Sequence, residues 1–185
     1  MDAFIKAKGD PRDPKFGEQF RIDPNEMNDI FNKYLEMRHN ESLLANKEAG
    51  DKFLAANKNK TGVQVTESGL QYIVENPGND SKAVSDQDTV WVRYKGTKLD
   101  GSVFDEVAPE ADSVRFVLSR VVKGWTEGMK LVGEGGKIKL FVPSDLGYGE
   151  RAPQEIGPNQ TLIFDVDICK VSRFVASEPE AEEKK

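Results

Sequence analysis

Leu162-Ile163-Phe164-Asp165-Val166-Asp167-Ile168-Cys169 has the clearest structural signal in the chain, because every second side chain is apolar. Successive side chains of a β-strand point to opposite faces of a sheet, so this alternation is typical of a strand with one buried face. The same pattern recurs in residues 90–94, 114–118 and 138–142. The sequence therefore predicts a half-buried antiparallel sheet with at least these four strands.

Turn and helix signals between these segments complete an α+β fold. Asp100-Gly101 is a hairpin signal, and the glycines of residues 133–136 supply positions where a positive φ is tolerated. Residues 124–131 have room for a helix of about two turns. Because Trp125 and Met129 are apolar, this short helix could cover the face of the sheet.

A long helix precedes the sheet. Asp23 and Pro24 are typical of a helix start, and residues 27–56 contain no proline and a single interior glycine, Gly50. Apolar residues recur there at three- and four-residue steps, densely up to Leu35 and sparsely through residues 40–52. Two interpretations follow, a helix packed on its own domain, or a dimerisation segment continued by a solvated strut.

The two ends of the chain have different signals. Residues 1–21 contain frequent Gly and Pro, which predicts a short helix and a loop. Residues 174–185 are acidic and predict a disordered tail. Hydrophobic residues make up 37% of the 185-residue chain and charged residues 31%, which favours one folded domain with a solvated appendage.

Composition argues against several classes of function. The net charge of -6 disfavours nucleic acid binding, which needs clustered Lys and Arg. A single cysteine, Cys169, and a single histidine, His39, cannot form a Cys/His zinc site, and we expect no metal and no cofactor. No run approaches the roughly 18 apolar residues of a membrane span, and the start lacks the pattern of a signal peptide.

Aromatic residues form the most informative group. If the alternation is correct, Tyr94, Phe116 and Phe164 point to one side of the sheet, where Trp125 of the short helix packs against them. Such a group is compatible with an ordinary aromatic core or with the lining of a ligand pocket.

Polar residues near this group favour the pocket. Asp105 follows the hairpin turn, and Tyr148 lies on a glycine-flanked loop. A buried carboxylate needs a hydrogen-bond partner, which the Tyr94 hydroxyl or Arg151 would supply. Polar groups at the rim of an apolar cavity are typical of a binding site.

Four motifs identify a family resemblance. They are Phe104-Asp105, Val-Val-Lys-Gly-Trp-Thr-Glu-Gly at residues 121–128, Leu-Gly-Tyr-Gly at 146–149, and Ile-Gly-Pro-Asn-Gln-Thr-Leu-Ile-Phe-Asp-Val at 156–166. In order, spacing and identity they resemble the FKBP-type peptidyl-prolyl cis/trans isomerases, and the likeness extends over residues 66–172. Residues 53–72 resemble the macrophage infectivity potentiator branch of bacteria, in which an N-terminal helical region dimerises and a long helix carries each isomerase domain.

This resemblance implies an organisation for the whole chain. Residues 1–62 would be a helical dimerisation and linker region, 63–173 an FKBP-type isomerase domain with an antiparallel sheet wrapped on a short helix, and 174–185 the tail. It implies proline-containing clients, macrolide inhibitors as ligands, a homodimer formed through residues 1–56, and a bacterial periplasmic or outer-membrane-associated location. The alternative is a folding chaperone or client-binding module in which catalysis is incidental.

The resemblance also assigns roles to the site residues. The catalytic set is Tyr94, Asp105 and Tyr148. The substrate-binding set is Phe104, Phe116, Val121, Val122, Trp125, Arg151, Ile156 and Phe164. The prolyl ring would rest on Trp125, and substrate carbonyls would meet the backbone N–H of Val122 and the hydroxyl of Tyr148.

Overall fold

The computed structural model of the chain describes residues 24–175. The predicted short helix and loop of residues 1–21, and all of the predicted tail after residue 175, lie outside that range. The chain divides into two compact units, Met1–Ser42 and Leu43–Lys185.

Helix α1 (Pro24–Asn57) has 34 residues, which confirms the predicted long helix. Proline suits the first helical position because it has no N–H to leave unpaired, and Glu26 places a negative charge at the positive end of the helix dipole. A turn that includes Gly62, at a φ of 85°, follows the helix. In the first unit, five large apolar side chains of α1 are between 49% and 57% exposed, and they are Ile30, Phe31, Tyr34, Leu35 and Met37.

In the second unit, the end of α1 packs on the sheet and its loops. Leu54 is buried, and the ring of Phe53 lies 6.0 Å from that of Phe141. Asn46 Nδ2 donates a hydrogen bond to the carbonyl oxygen of Pro158 at 2.7 Å. Residues 43–57 therefore follow the first of the two interpretations, a helix packed on its own domain, and the predicted solvated strut does not extend over them.

The sheet has seven antiparallel strands in the order β1-β2-β6-β7-β3-β4, and β5 also pairs with β3. The strands are β1 (Gln64–Val65), β2 (Gln71–Asn76), β3 (Thr89–Lys98), β4 (Val103–Glu106), β5 (Val114–Val117), β6 (Lys137–Val142) and β7 (Leu162–Ser172). Helix α2 (Lys123–Gly128) covers one face. The architecture confirms the predicted α+β fold with an antiparallel sheet on a short helix.

Three of the four alternating segments lie wholly in strands β3, β6 and β7, and the fourth, residues 114–118, lies in β5 except for Leu118, which begins a 3-10 turn. In β5 the alternation is only partly realised, because Val114 is 40% exposed. This strand pairs with β3 alone and lies at the margin of the sheet. Strands β1, β2 and β4 were not among the predicted segments.

The glycine turns agree in part with the prediction. Gly101 has a φ of 83° in the hairpin between β3 and β4, as expected. Of residues 133–136, only Gly135 has a positive φ, at 79°. Gly133 is required for a different reason, since a Cβ there would lie 1.8 Å from the carbonyl oxygen of Asn79.

Among residues 24–175, the buried apolar side chains form one core between α2 and the sheet. Its completely buried members come from the strands and from the segments around α2, and they include Val90, Val92, Leu118, Met129, Val132, Ile138, Leu140 and Leu162. None of the helices described in residues 24–175 has the length and hydropathy of a membrane span.

Candidate active site

Trp125 of α2 is the floor of the site. Its side chain is 5% exposed, and three rings approach it edge-on. The ring centroids lie 4.8 Å away for Tyr94, 5.2 Å for Phe164 and 5.4 Å for Phe116, at interplanar angles of 78° to 87°. Edge-to-face contacts of this kind are the preferred packing of aromatic side chains. The predicted gathering of these four rings on one side of the sheet is thus present.

The strand register explains how the rings meet. Gly96 of β3 pairs with Phe164 of β7, two residues along β3 from Tyr94. A Cβ on Gly96 would lie 2.6 Å from Cζ of Phe104 and 3.0 Å from Cε1 of Phe164. Gly96 therefore leaves the space in which these two rings make their own edge-on contact, with centroids 5.6 Å apart.

These side chains enclose a cavity of about 320 Å³. Its lining is Tyr94, Phe104, Asp105, Phe116, Arg120, Val121, Val122, Trp125, Tyr148 and Phe164. Of the predicted site residues, all but two belong to this lining. Ile156 is instead a buried member of the core, and Arg151 is an exposed residue of the 3-10 turn Gly149–Arg151.

Asp105 and Tyr94 form the polar pair of the site. The hydroxyl of Tyr94 donates to Oδ2 of Asp105 at 2.5 Å. Between the two partners considered for this carboxylate, the structure selects Tyr94, and Arg151 makes no ion pair with Asp105 in the described part of the chain. Burial, the hydrogen bond to Asp105 and the charge of that carboxylate raise the pKa of the Tyr94 phenol far above its usual range.

Tyr148 brings a second hydroxyl to the cavity. It is 42% exposed and lies between two short 3-10 turns, Ser144–Leu146 and Gly149–Arg151. Partial burial, and then the negative charge of Asp105, raise the pKa of this phenol as well. The hydroxyl therefore stays protonated at neutral pH and remains a hydrogen-bond donor.

The backbone N–H of Val122 is a further available donor. The carbonyl of Val122 accepts from the N–H groups of Trp125 at 2.9 Å and Thr126 at 3.1 Å, which begins α2. Its own N–H has no hydrogen-bond partner within residues 24–175. The indole N–H of Trp125 is also buried without a partner there.

Arg120 and Gly96 are not among the predicted site residues. Arg120 is an exposed residue at the end of the 3-10 turn Leu118–Arg120, where no periodicity indicates which way a side chain faces. Gly96 did have a signal, because a glycine inside a strand often marks a close approach of neighbouring groups. Within residues 24–175, no cluster of His, Cys, Asp and Glu is arranged to hold a metal ion.

Comparisons with known families give matches along most of the chain. Residues 80–169 match the model of the FKBP-type peptidyl-prolyl cis-trans isomerase. Residues 12–74 match the model of the domain amino terminal to FKBP-type peptidyl-prolyl isomerase.

Among curated proteins, the chain is 38% identical over 177 residues to the outer membrane protein MIP of Legionella longbeachae, covering 91% of this chain and 75% of that protein. It is 39% identical over 163 residues to the probable FKBP-type isomerase FkpA of Neisseria meningitidis, covering 84% of this chain. The chain spans 60% of the length of the Neisseria protein and 54% of FkpA from Aeromonas hydrophila.

Solved structures are similar in fold and sequence. The crystal structure of FkpA from Escherichia coli matches with a TM-score of 0.73 and 32% identity, over 84% of this chain and 76% of that one. A peptidyl-prolyl isomerase from Pseudomonas syringae matches with a TM-score of 0.64 and 32% identity, over 69% of this chain and 94% of that one.

Proposed function

Because the chain belongs to the FKBP-type peptidyl-prolyl cis-trans isomerase family, we propose that it accelerates the rotation of X-Pro bonds in proline-containing client proteins. The observation that carries this proposal is the aromatic cavity on Trp125, with hydrogen-bond donors at its rim. Its volume of about 320 Å³ is at the lower end of ligand pockets and suits a small ring with its flanking amides.

The chemistry of the bond explains why an apolar cavity would help. Amide resonance makes rotation cross a barrier of about 18–20 kcal/mol, and the uncatalysed step is slow. Resonance also places charge on the carbonyl oxygen, so water stabilises the planar ground state more than the twisted transition state. Transfer of the X-Pro bond into an apolar cavity removes part of that preference.

The proposed mechanism uses binding alone. A prolyl ring rests on Trp125 between Tyr94 and Phe116, and its carbonyl groups accept hydrogen bonds from the Val122 N–H and the Tyr148 hydroxyl. Asp105 holds the Tyr94 phenol in place through their hydrogen bond. No covalent intermediate and no cofactor are needed for any of these steps.

The energetic demand is modest. A hundredfold acceleration requires that the transition state be bound about 2.7 kcal/mol better than the ground state. Desolvation and one or two hydrogen bonds, each worth about 1 kcal/mol net, are of that size.

A proline-limited refolding assay tests this function. We expect the full chain to accelerate the slow phase, and the double substitution Asp105→Ala with Tyr148→Phe to lower that acceleration at least tenfold. Tyr72→Phe is the matched control, because the Tyr72 hydroxyl bonds Gln64 outside the cavity. No acceleration by the wild type, or equal acceleration by the double variant, contradicts the proposal.

We also propose that residues 1–56 form a homodimer, in a chain organised as a helical region (1–62), an isomerase domain (63–173) and a tail (174–185). The support is the apolar stripe of α1, which is formed by the five large, half-exposed side chains Ile30, Phe31, Tyr34, Leu35 and Met37. Light scattering of Ile30→Glu with Leu35→Glu should then give half the mass of the wild type. Val84→Glu, at another exposed apolar position, should leave the mass unchanged.

The same stripe favours a second candidate function, a chaperone in which the helical region holds unfolded clients. Exposed apolar patches are typical of binding surfaces. If this is the function, the full chain should suppress client aggregation better than residues 63–172 alone. Equal suppression by the two would contradict it.

A location in the bacterial envelope is a further part of the proposal. Its support is the name of the Legionella relative, an outer membrane protein. Fractionation of the native cells tests it, and recovery of the protein with cytoplasmic markers would contradict it.

A further inference from the structure

A shallow groove of about 570 Å³ adjoins the aromatic cavity, and Val121 lines both. The groove runs beside α2. Its lining is Asp86, Ser119, Val121, Lys123, Thr126, Glu127, Lys130 and Leu131. In an extended peptide, successive residues are about 3.3–3.6 Å apart. A peptide with its proline in the cavity would therefore carry a neighbouring residue over Val121 and into the groove.

Each acidic group of the groove and cavity has a polar partner, but only Asp86 is paired with a positive charge, since Glu127 and Asp105 accept from neutral hydroxyl groups. Glu127 accepts a hydrogen bond from the hydroxyl of Ser68 at 2.6 Å. Asp86 forms an ion pair with Lys130. In the adjoining cavity, Asp105 accepts from Tyr94.

Two basic groups are not engaged. Arg120 lines the cavity and Lys123 lines the groove, and both side chains are exposed. Neither makes an ion pair with another residue of the range 24–175. Arg120 precedes Val121-Val122 in the sequence and Lys123 follows it. One positive charge without an ion-pair partner therefore lies on each side of the segment that joins the cavity to the groove.

We propose that this groove is a binding subsite for client residues next to the proline, and that Arg120 and Lys123 give it a preference for acidic side chains. The inference rests on the proposed isomerase function and adds a class of substrate to it. Ion pairs at such exposed positions are weak, so the preference is an effect on kcat/KM of about twofold to fivefold. It should decline with salt, because exposed charges are screened over about 10 Å at 0.1 M.

Peptides that differ by one charge test the preference. One series is Ala-Xaa-Pro-Phe and the other Ala-Ala-Pro-Xaa, with Glu, Ala or Lys as Xaa. With the full chain at low salt, we expect Glu to exceed Lys about twofold to fivefold in kcat/KM in at least one series. In the variant Arg120→Glu with Lys123→Glu, the order of Glu and Lys should reverse.

Arg115→Glu is the matched control. Arg115 is an exposed residue of β5 outside the lining of both depressions, so this variant makes the same kind of charge reversal nearby and should keep the preference for Glu. The near-ultraviolet circular dichroism of each variant verifies that the aromatic site is intact.

The neutral peptides distinguish a failure of the subsite proposal from a failure of the isomerase proposal. Acceleration of the Ala peptides with equal rates for Glu and Lys in both series would overturn the subsite and leave the isomerase proposal standing. A Glu preference that persists in the double charge-reversal variant would also overturn it. If no peptide is accelerated, the isomerase proposal fails and the subsite fails with it.

Discussion

Gly96 is a single residue on which the shape of the cavity depends. It has no side chain at the point where the rings of Phe104 and Phe164 approach β3, and a Cβ there would lie 2.6 Å and 3.0 Å from their nearest atoms. Most strand positions favour larger residues, and glycine in a strand costs stability. Here that cost is offset by the room the two rings need.

We predict that Gly96→Ala lowers both stability and isomerase activity. Because the new methyl group forces the rings of Phe104 and Phe164 to move, the free energy of unfolding should fall by about 1–3 kcal/mol. Urea unfolding and the refolding assay measure the two effects. Lys95→Ala, at the neighbouring exposed position, should change neither by much.

A second substitution tests whether the loss of stability in Gly96→Ala comes from the clash of the new methyl group with Phe104. Adding Phe104→Leu to Gly96→Ala shortens the side chain nearest to the new methyl group and should recover part of the lost stability. If the double variant is as unstable as the sum of the two single ones, the contact with Phe104 is not the reason.

At the scale of single residues, much of the site could be predicted from the sequence. Alternation along the strands places Tyr94, Phe116 and Phe164 on one face, because side-chain direction in a strand follows from its period of two. Loop residues have no such period. The absence of Arg151 from the cavity lining, and the presence of Arg120 in it, depend on the path of short 3-10 turns that local sequence does not determine.

At the scale of elements, the end of α1 contacts the loop that precedes β7. Gly50 passes so close to Thr161 that a Cβ would lie 2.3 Å from its Oγ1. Asn46 donates to the carbonyl of Pro158, and Lys47 pairs with Asp145 at 3.3 Å. The sequence marks Gly50 as a weak point of the helix, and the structure gives the reason for it.

We predict that Gly50→Ala destabilises the protein although alanine is the better helix former by about 1 kcal/mol. The added methyl group would separate α1 from Thr161, and thermal unfolding should show a lower Tm. Combination with Thr161→Ala removes the oxygen that is too close and should recover stability. A higher Tm for Gly50→Ala alone would mean that helix propensity outweighs this contact.

The predictability of elements follows their length and burial. The long strands β3 and β7, and helix α1, have enough residues for a clear period. Strand β1 has only two residues, and the four residues of β4 do not alternate, because the apolar Val103 and Phe104 are adjacent. Their place in the sheet comes from pairing with a longer neighbour rather than from their own pattern.

At the scale of the whole molecule, Asp88 joins distant parts of the chain. Its side chain is 1% exposed, and it accepts from the N–H groups of Val84 at 2.7 Å, Ser85 at 2.9 Å and Phe174 at 2.8 Å. Burial alone would raise the pKa of Asp88. The three hydrogen bonds together have the larger effect and hold this pKa below its usual range. The end of the described chain is thereby tied to the turn before β3.

We predict a dependence of stability on acid pH that comes from this carboxylate. Because its pKa is lower in the folded state, the contribution to stability is present above the unfolded pKa and is lost as the pH falls through the folded pKa. Asp88→Asn should therefore lower the free energy of unfolding at pH 7 by about 1–3 kcal/mol, and the difference should shrink as the pH falls below about 4, the ordinary pKa of an aspartate.

Urea unfolding from pH 7 to pH 2 measures this. Asp112→Asn is the control, because it removes the same kind of carboxylate at an exposed position. A difference between wild type and Asp88→Asn that stays constant over the whole range would contradict the prediction.

Because Trp125 forms the floor of the cavity, its intrinsic fluorescence can report the binding of a ligand there. The chain has two tryptophans. Trp91 is only half-buried and lies against the ammonium group of Lys170, 5.1 Å from its ring centroid, whereas Trp125 forms the floor of the cavity. In a Trp91→Phe variant all indole emission would come from the cavity, so a fluorescence titration would report occupancy directly, without labelled clients or turnover.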